Sequence, residues 1–212
     1  MIIAVDGPAA SGKGTIARAL ATHYRLPHLD TGLLYRAVAY TVLDLELNPE
    51  IEADCVAACD FDDLLLHNPA LRSDDIGKAA SVCSAHPLVR AALLRRQRRF
   101  AQQDGGAVLD GRDIGSVIAP DADVKLFVKA TPQIRARRRH AELREAGAAM
   151  SLDRVLADIR ARDARDSQRA ISPLVLVADA ALLDTSFLSI DASIQRAIEL
   201  VEARIAAKVS TP

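Results

Sequence analysis

The sequence has no tryptophan and only three Tyr and four Phe in 212 residues. A module that grips single-stranded RNA stacks bases on aromatic rings, so this composition fits that role poorly. Neither sign of charge is in excess: 27 basic residues face 28 acidic ones, for a formal charge of −1. That balance speaks against a general binder of nucleic acid or membrane surfaces. No apolar run approaches the length that crosses a bilayer. The first apolar run opens at Ile2, with no basic segment ahead of it, so no secretory leader is read and a cytoplasmic location is expected. Cysteine is scarce too. Cys55, Cys59 and Cys83 have no CxxC spacing and no His at ligand distance in sequence, which reads as buried free thiols rather than a metal site.

Half of the residues are hydrophobic, so a sizeable core follows, built from Ala, Leu, Val and Ile. The length suits one domain with an insertion, or two small lobes. Met1 to Val5 is an unbroken apolar run closed by Asp6-Gly7, the pattern of a parallel strand buried on both faces. Helical spacing follows from Lys13 to about His23. Further strands are read at Pro27–Leu29, Ala107–Asp110, Val124–Val128 and Leu182–Asp184. Thr31 is read as the cap of a helix carrying Leu34, Val38 and Val42. Ile51–Cys59 reads as a short helix, and Phe61–Leu66 with Ala70–Arg72 as a small hairpin. Helices are then read at Asp74–Ala85, from Pro87, from Thr131-Pro132 and from Ser151. The last, from Ser189, has Ile190, Ile194, Ile198 and Val201 along its face. Alternating short strands and helices imply an α/β fold with a central parallel sheet flanked by helices on both sides.

Between the first strand and the first helix lies Gly7-Pro8-Ala9-Ala10-Ser11-Gly12-Lys13-Gly14-Thr15. Glycines let the backbone wrap a phosphate with its N–H groups pointing inward, the helix N-terminus adds positive potential, and Lys13 reaches the β- and γ-phosphates. This is a P-loop. The position after the lysine is Gly14, not the usual hydroxyl residue, so a Mg2+ ion would be held mainly through phosphates and water. The only two Asn, Asn48 and Asn68, each precede a proline. The guanine-reading Asn-Lys-x-Asp motif is therefore absent, which disfavours a GTPase.

Asp30-Thr31-Gly32-Leu33-Leu34-Tyr35-Arg36 follows the second strand, and ligands of open α/β sheets gather beyond the carboxyl ends of strands. Arg36 offers the planar donor fork suited to an acceptor phosphate. Asp110-Gly111-Arg112-Asp113 closes the third strand in a tight turn that presents its charged side chains, and Asp110 stands where a metal-organising carboxylate often sits. Farther on, Arg162, Arg165, Asp166 and Arg169 share one helical face. Their alternating charges allow an i, i+4 pair between Arg162 and Asp166.

These motifs, taken in order with the Ala92–Arg98 stretch A-L-L-R-R-Q-R, resemble those of bacterial cytidylate kinases from Ile2 to about Ile205. The resemblance implies a P-loop NTPase three-layer sandwich, 1–212, with its core at 1–43, 87–131 and 170–210. It also implies an acceptor-binding insertion at about 44–86 and an Arg-rich lid at about 132–169. It implies transfer of the γ-phosphoryl group of ATP to CMP or dCMP by a monomer, with no nucleic-acid or membrane partner. Ser81, Arg90 and Asp113 match positions that read cytosine. Thr31, Tyr35, Arg36 and Arg112 match those around the acceptor phosphate, Asp166 and Arg169 those at the ribose, and Arg162 one at a phosphate. Lys13, Arg112 and Arg162 are the expected catalytic cations. Among Arg135, Arg137, Arg138 and Arg139 the resemblance singles out none for the moving phosphoryl group. Arg95, Arg96, Arg98 and Arg99 read as a solvated face. The stretch from Asp44 to Ile76 is short for the family's extra sheet, and a hairpin or helices remain open there. A kinase for shikimate, gluconate or dephospho-coenzyme A, and a nucleotide-dependent RNA-binding module, are the competing readings.

Overall fold

The computed structural model describes residues 1–145, 147–169 and 171–209, excepting the Val209 side chain. The chain forms two compact units: Met1–Leu29 with Ala101–Pro212, and Asp30–Phe100. The first holds a five-stranded parallel sheet of β1 (Ile2–Asp6), β2 (His28–Asp30), β3 (Ala107–Gly111), β4 (Val124–Lys129) and β5 (Ala181–Asp184). Its order is β2-β3-β1-β4-β5. β1 therefore runs in the centre, with Ile2 opposite Ala107 and Ile3 opposite Val124.

Alternation along β1 divides its side chains. Ile3 and Val5 join a core with Val108, Leu126 and Val128, against Ile16 and Leu20 of α1 (Lys13–Tyr24) and Ala197 and Val201 of α8 (Ile190–Val209). Each such Val, Leu or Ile side chain, fully buried, contributes roughly 1.5–3 kcal/mol. Ala197 and Val201 are the most buried positions of α8, while Ile190, expected on this face, is exposed at the first position of the helix. The same unit holds α6 (Pro132–Glu145) and α7 (Leu152–Gln168), which share a small core of Ala136, Leu143, Val155 and Ile159.

The second unit holds α2 (Thr31–Asp44), α3 (Glu52–Ala57), α4 (Asp74–Cys83) and most of α5 (Pro87–Ala101). Leu34, Val38 and Val42 are fully buried, as their spacing predicts. Two expectations are corrected. The α2 cap is Asp30, whose carboxylate accepts the Gly32 N–H at 3.0 Å, so Thr31 is instead the first helical residue. The expected hairpin is a pair of 3-10 turns, Asp63–His67 and Pro69–Arg72. Asp62 and Asn68 accept the N–H groups of Leu64 and Ala70 at 2.7 and 2.9 Å. Those local bonds favour tight turns over cross-strand pairing. Arg96 is not simply solvated either: its guanidinium lies 4.6 Å from the Phe61 ring centroid and pairs with Asp63.

Gly106 has φ of +93°, and a Cβ there would fall onto the Met1 backbone. That close approach lets Ala107 donate its N–H to the Met1 carbonyl at 3.1 Å and so seats β3 beside β1. Gly106→Ala is expected to destabilise the protein by about 2–5 kcal/mol, from strain and overpacking together. The check is a lower denaturant midpoint at unchanged slope; an unchanged midpoint would show that the sheet does not need this contact.

Candidate functional site

The P-loop joins β1 to α1, and its backbone is shaped for close approach. Ala10 and Gly12 have φ of 57° and 90°, and a Cβ on Gly7 would fall onto the Val128 carbonyl oxygen. Gly12 caps α1 and offers no side-chain cap bond to its first turn. Uncapped amides at a helix N-terminus form an anion site. The Lys13 Nζ lies 3.7 Å from the Asp110 carboxylate. The other Asp110 oxygen is 2.9 Å from His28 Nε2, which projects from neighbouring β2. Burial alone would raise the Asp110 carboxyl. The His28 hydrogen bond and the Lys13 charge, with help from Arg112, outweigh it and hold the group below the usual carboxylate range. The sequence did not single out His28, because only the sheet order brings β2 beside β3.

Gly14 has no side chain, and a Cβ there would stand 3.6 Å from the Asp110 carboxylate. The carboxylate thus faces the position where strict P-loops place their hydroxyl. Among the described residues no cluster of three His, Cys, Asp or Glu could hold a metal ion. One carboxylate beside a phosphate loop suits an ion held by phosphates and water.

Arg112 follows β3, and its Nε donates to Asp166 at 2.6 Å. Asp166 is buried, which by itself would raise its carboxyl; Arg112, Arg162 and Arg169 surround it and hold it well below the usual range. The expected Arg162–Asp166 pair is therefore only part of the arrangement. Asp166 accepts its short bond from Arg112 because the turn after β3 reaches the inner face of α7, while Arg165 is exposed. Arg169 sits past the end of α7, its Nε donating to the Ser172 carbonyl at 2.7 Å.

The arginines of α6 divide by environment. Arg135 is buried and gives both terminal nitrogens to Asp163, at 2.9 and 2.6 Å, while also donating to the P-loop carbonyl of Ala9 at 3.2 Å. Arg138 donates to the Thr185 carbonyl at 2.6 Å and the Ser11 carbonyl at 3.4 Å. Arg137 is exposed, and Arg139 pairs with Glu142 at 3.1 Å. The segment expected as a lid is thus fastened to the P-loop backbone by Arg135 and Arg138. Asp113 is buried in the turn after β3.

In the second unit, Thr31, Tyr35 and Arg36 lie on α2, Ser81 on α4 and Arg90 on α5. Thr31, Tyr35, Ser81 and Arg90 are all buried. The Arg90 guanidinium stands 5.4 Å from the Tyr35 ring centroid and donates to the Ser84 carbonyl at 3.2 Å. Arg36 donates to the carbonyls of Leu71 and Ser73, at 2.6 and 3.1 Å. Its guanidinium rests over Gly77, where a Cβ would come within 2.8 Å of it.

Comparison with known proteins decides the family. The cytidylate kinase family model matches residues 3–203. The chain belongs to the cytidylate kinase family. It is 56% identical over 204 residues to a cytidylate kinase of Bradyrhizobium sp. (strain ORS 278), covering 96% of both chains. It is 57% identical over 208 residues to a cytidylate kinase of Xanthobacter autotrophicus, covering 98% of this chain and all of that one. A solved structure of an uncharacterised protein from Eubacterium ventriosum is similar with a TM-score of 0.56 at 14% identity, over 96% of this chain and 99% of that one, a likeness of fold alone. No helix among the described residues is long and apolar enough to cross a membrane.

Asp166 supplies a pH test of the site. Its folded-state carboxyl is held low, so it contributes stability that is fully present above the unfolded value and is lost as pH falls through the folded one. Asp166→Asn is expected to lose about 3–5 kcal/mol at pH 7. The deficit should shrink as pH falls below about 4. Urea midpoints across that range check it; a deficit independent of pH would mean that the guanidiniums do not hold the carboxylate.

Proposed function

We propose that the protein transfers the γ-phosphoryl group of ATP to CMP or dCMP, giving CDP or dCDP and ADP. The observation that carries this reading is the match of the cytidylate kinase family over residues 3–203, with an uncapped P-loop helix and Lys13 in place. The P-loop amides and Lys13 hold the donor phosphates. Arg112 and Arg162, gathered around Asp166, offset charge on the moving group, since phosphoryl transfer needs positioning and charge stabilisation more than covalent help. Asp110, beside Lys13, would face a magnesium ion held through the donor phosphates and water, which would supply further charge neutralisation.

Thr31, Tyr35, Arg36 and Arg112 bind the acceptor phosphate, and Asp166 and Arg169 the ribose. Ser81, Arg90 and Asp113 read the base. Cytosine presents an amino donor, which a carboxylate accepts, and an O2 and N3 edge that an arginine can engage. Uracil puts a carbonyl where that amine stands. The Asp113 carboxylate would then be repelled and left unpaired, a mismatch that discriminates steeply. On this reading the protein acts on free nucleotides as a monomer in the cytoplasm.

Coupled ADP release with ATP, magnesium and CMP, dCMP, UMP, AMP or GMP tests the reading. Turnover confined mainly to CMP and dCMP is expected, and Lys13→Ala should abolish it while leaving the fold intact. No turnover with any of the five would redirect the site to another small acceptor, such as shikimate or gluconate. A salt-dependent shift of RNA on a gel would favour the RNA-binding alternative.

A further inference from the structure

Asp6 closes β1, immediately before the P-loop, and is only 6% exposed. Its two carboxylate oxygens are both engaged: one accepts the Ile114 N–H and the other the Gly115 N–H, each at 2.8 Å. Those amides are the two that follow Asp113. The Asp113 carbonyl in turn accepts from Val117 and Ile118, at 2.9 and 3.1 Å, closing a π-helical turn over Ile114–Ile118. Asp113 is thus held from both sides: by its own carbonyl within the turn, and by Asp6 through the next two amides. Gly115 makes the fit possible, since a Cβ there would meet the Lys125 side chain at 3.1 Å and the Asp6 carboxylate at 3.4 Å.

We infer that Asp6 is a positioning residue for cytosine recognition, its carboxylate fixing the turn that presents Asp113 to the base. This rests on the base-reading role proposed for Asp113. A neutral amide cannot replace the carboxylate, because two converging N–H groups need two acceptor oxygens and Asn offers one oxygen and one donor. The charged groups around Asp6 are Asp113 and Arg112 from the turn after β3, and Lys125 from β4, whose ammonium pairs with Asp179 at 2.7 Å. Asp6 and Asp113 repel each other, so an ionised Asp6 makes the turn more receptive to an amino donor than to a carbonyl. Burial pushes the Asp6 carboxyl up to about 6, while the Gly115 and Ile114 amides pull it back. Protonation converts one acceptor into a hydroxyl that faces an N–H group and loosens the turn.

The test is the ratio of kcat/KM for CMP to that for UMP between pH 5 and 8. Ionisation of the nucleotide phosphate is common to both substrates and cancels in the ratio. In the wild type the ratio should fall about tenfold as pH drops through about 6, the scale of one lost buried hydrogen bond. Asp6→Asn should show the low ratio at every pH, with its KM for ATP within about threefold of wild type. A flat wild-type ratio, or a pH response that persists in Asp6→Asn, overturns the inference. Should that variant not fold, NMR of the wild-type Asp6 carboxyl decides: its midpoint must coincide with that of the ratio, and separate midpoints overturn the inference. Asp113→Ala tells the two readings apart. If it leaves the ratio unchanged, the base-reading role fails; if it lowers the ratio while Asp6→Asn does not, only the role of Asp6 fails.

Discussion

Cations crowded into one region repel one another, and the first unit is organised around that constraint. Each key cation has a carboxylate partner: Lys13 with Asp110, Arg112 with Asp166, Arg135 with Asp163. The Arg112 and Arg135 pairs are largely withdrawn from water, so attraction offsets desolvation only if the geometry is well kept. That requirement explains the company each carboxylate keeps. Asp110 is steadied by His28, and Asp166 by three guanidiniums.

The same economy extends to the backbone. Ala10 and Gly12, both at positive φ, hold the P-loop in a conformation costly to maintain alone. Arg135 and Arg138 accept that role from α6 by donating to the carbonyls of Ala9 and Ser11. They hold the outer, carbonyl side of the loop, which leaves the amide side for the ligand. In the second unit Arg36 braces the turn at residues 71–73, and Arg90 lies over Tyr35.

Much of this was legible in the sequence, for identifiable reasons. The P-loop is local: strand, glycines, lysine and helix are contiguous, so its structure needs no long-range information. The central strand followed from an unbroken apolar run closed by Asp6-Gly7. The hairpin reading failed because Asp62 and Asn68 form side-chain bonds two residues ahead, a choice that apolar spacing does not reveal. Thr31 was read as a cap because Asp30, also a good cap, ended the preceding strand. His28 and Asp6 were missed for a different reason. Their partners lie 82 and 108 residues away, and only the strand order brings those residues together. An acid at the end of an apolar strand was a visible signal at both Asp6 and Asp110, yet only Asp110 drew notice.

The central place of β1 also bears on how the chain is made. Its neighbours β3 and β4 begin at Ala107 and Val124, so β1 waits for about a hundred further residues of synthesis before it can pair. At roughly 5–20 residues per second, synthesis leaves Ile2 to Val5 without a sheet for several seconds. The second unit, Asp30–Phe100, is complete in sequence before β3 appears, and its helices draw on one another for burial. Folding during synthesis can therefore proceed from the inserted unit outward. The sheet that holds β1 is completed after that unit, when β5 emerges near residue 184.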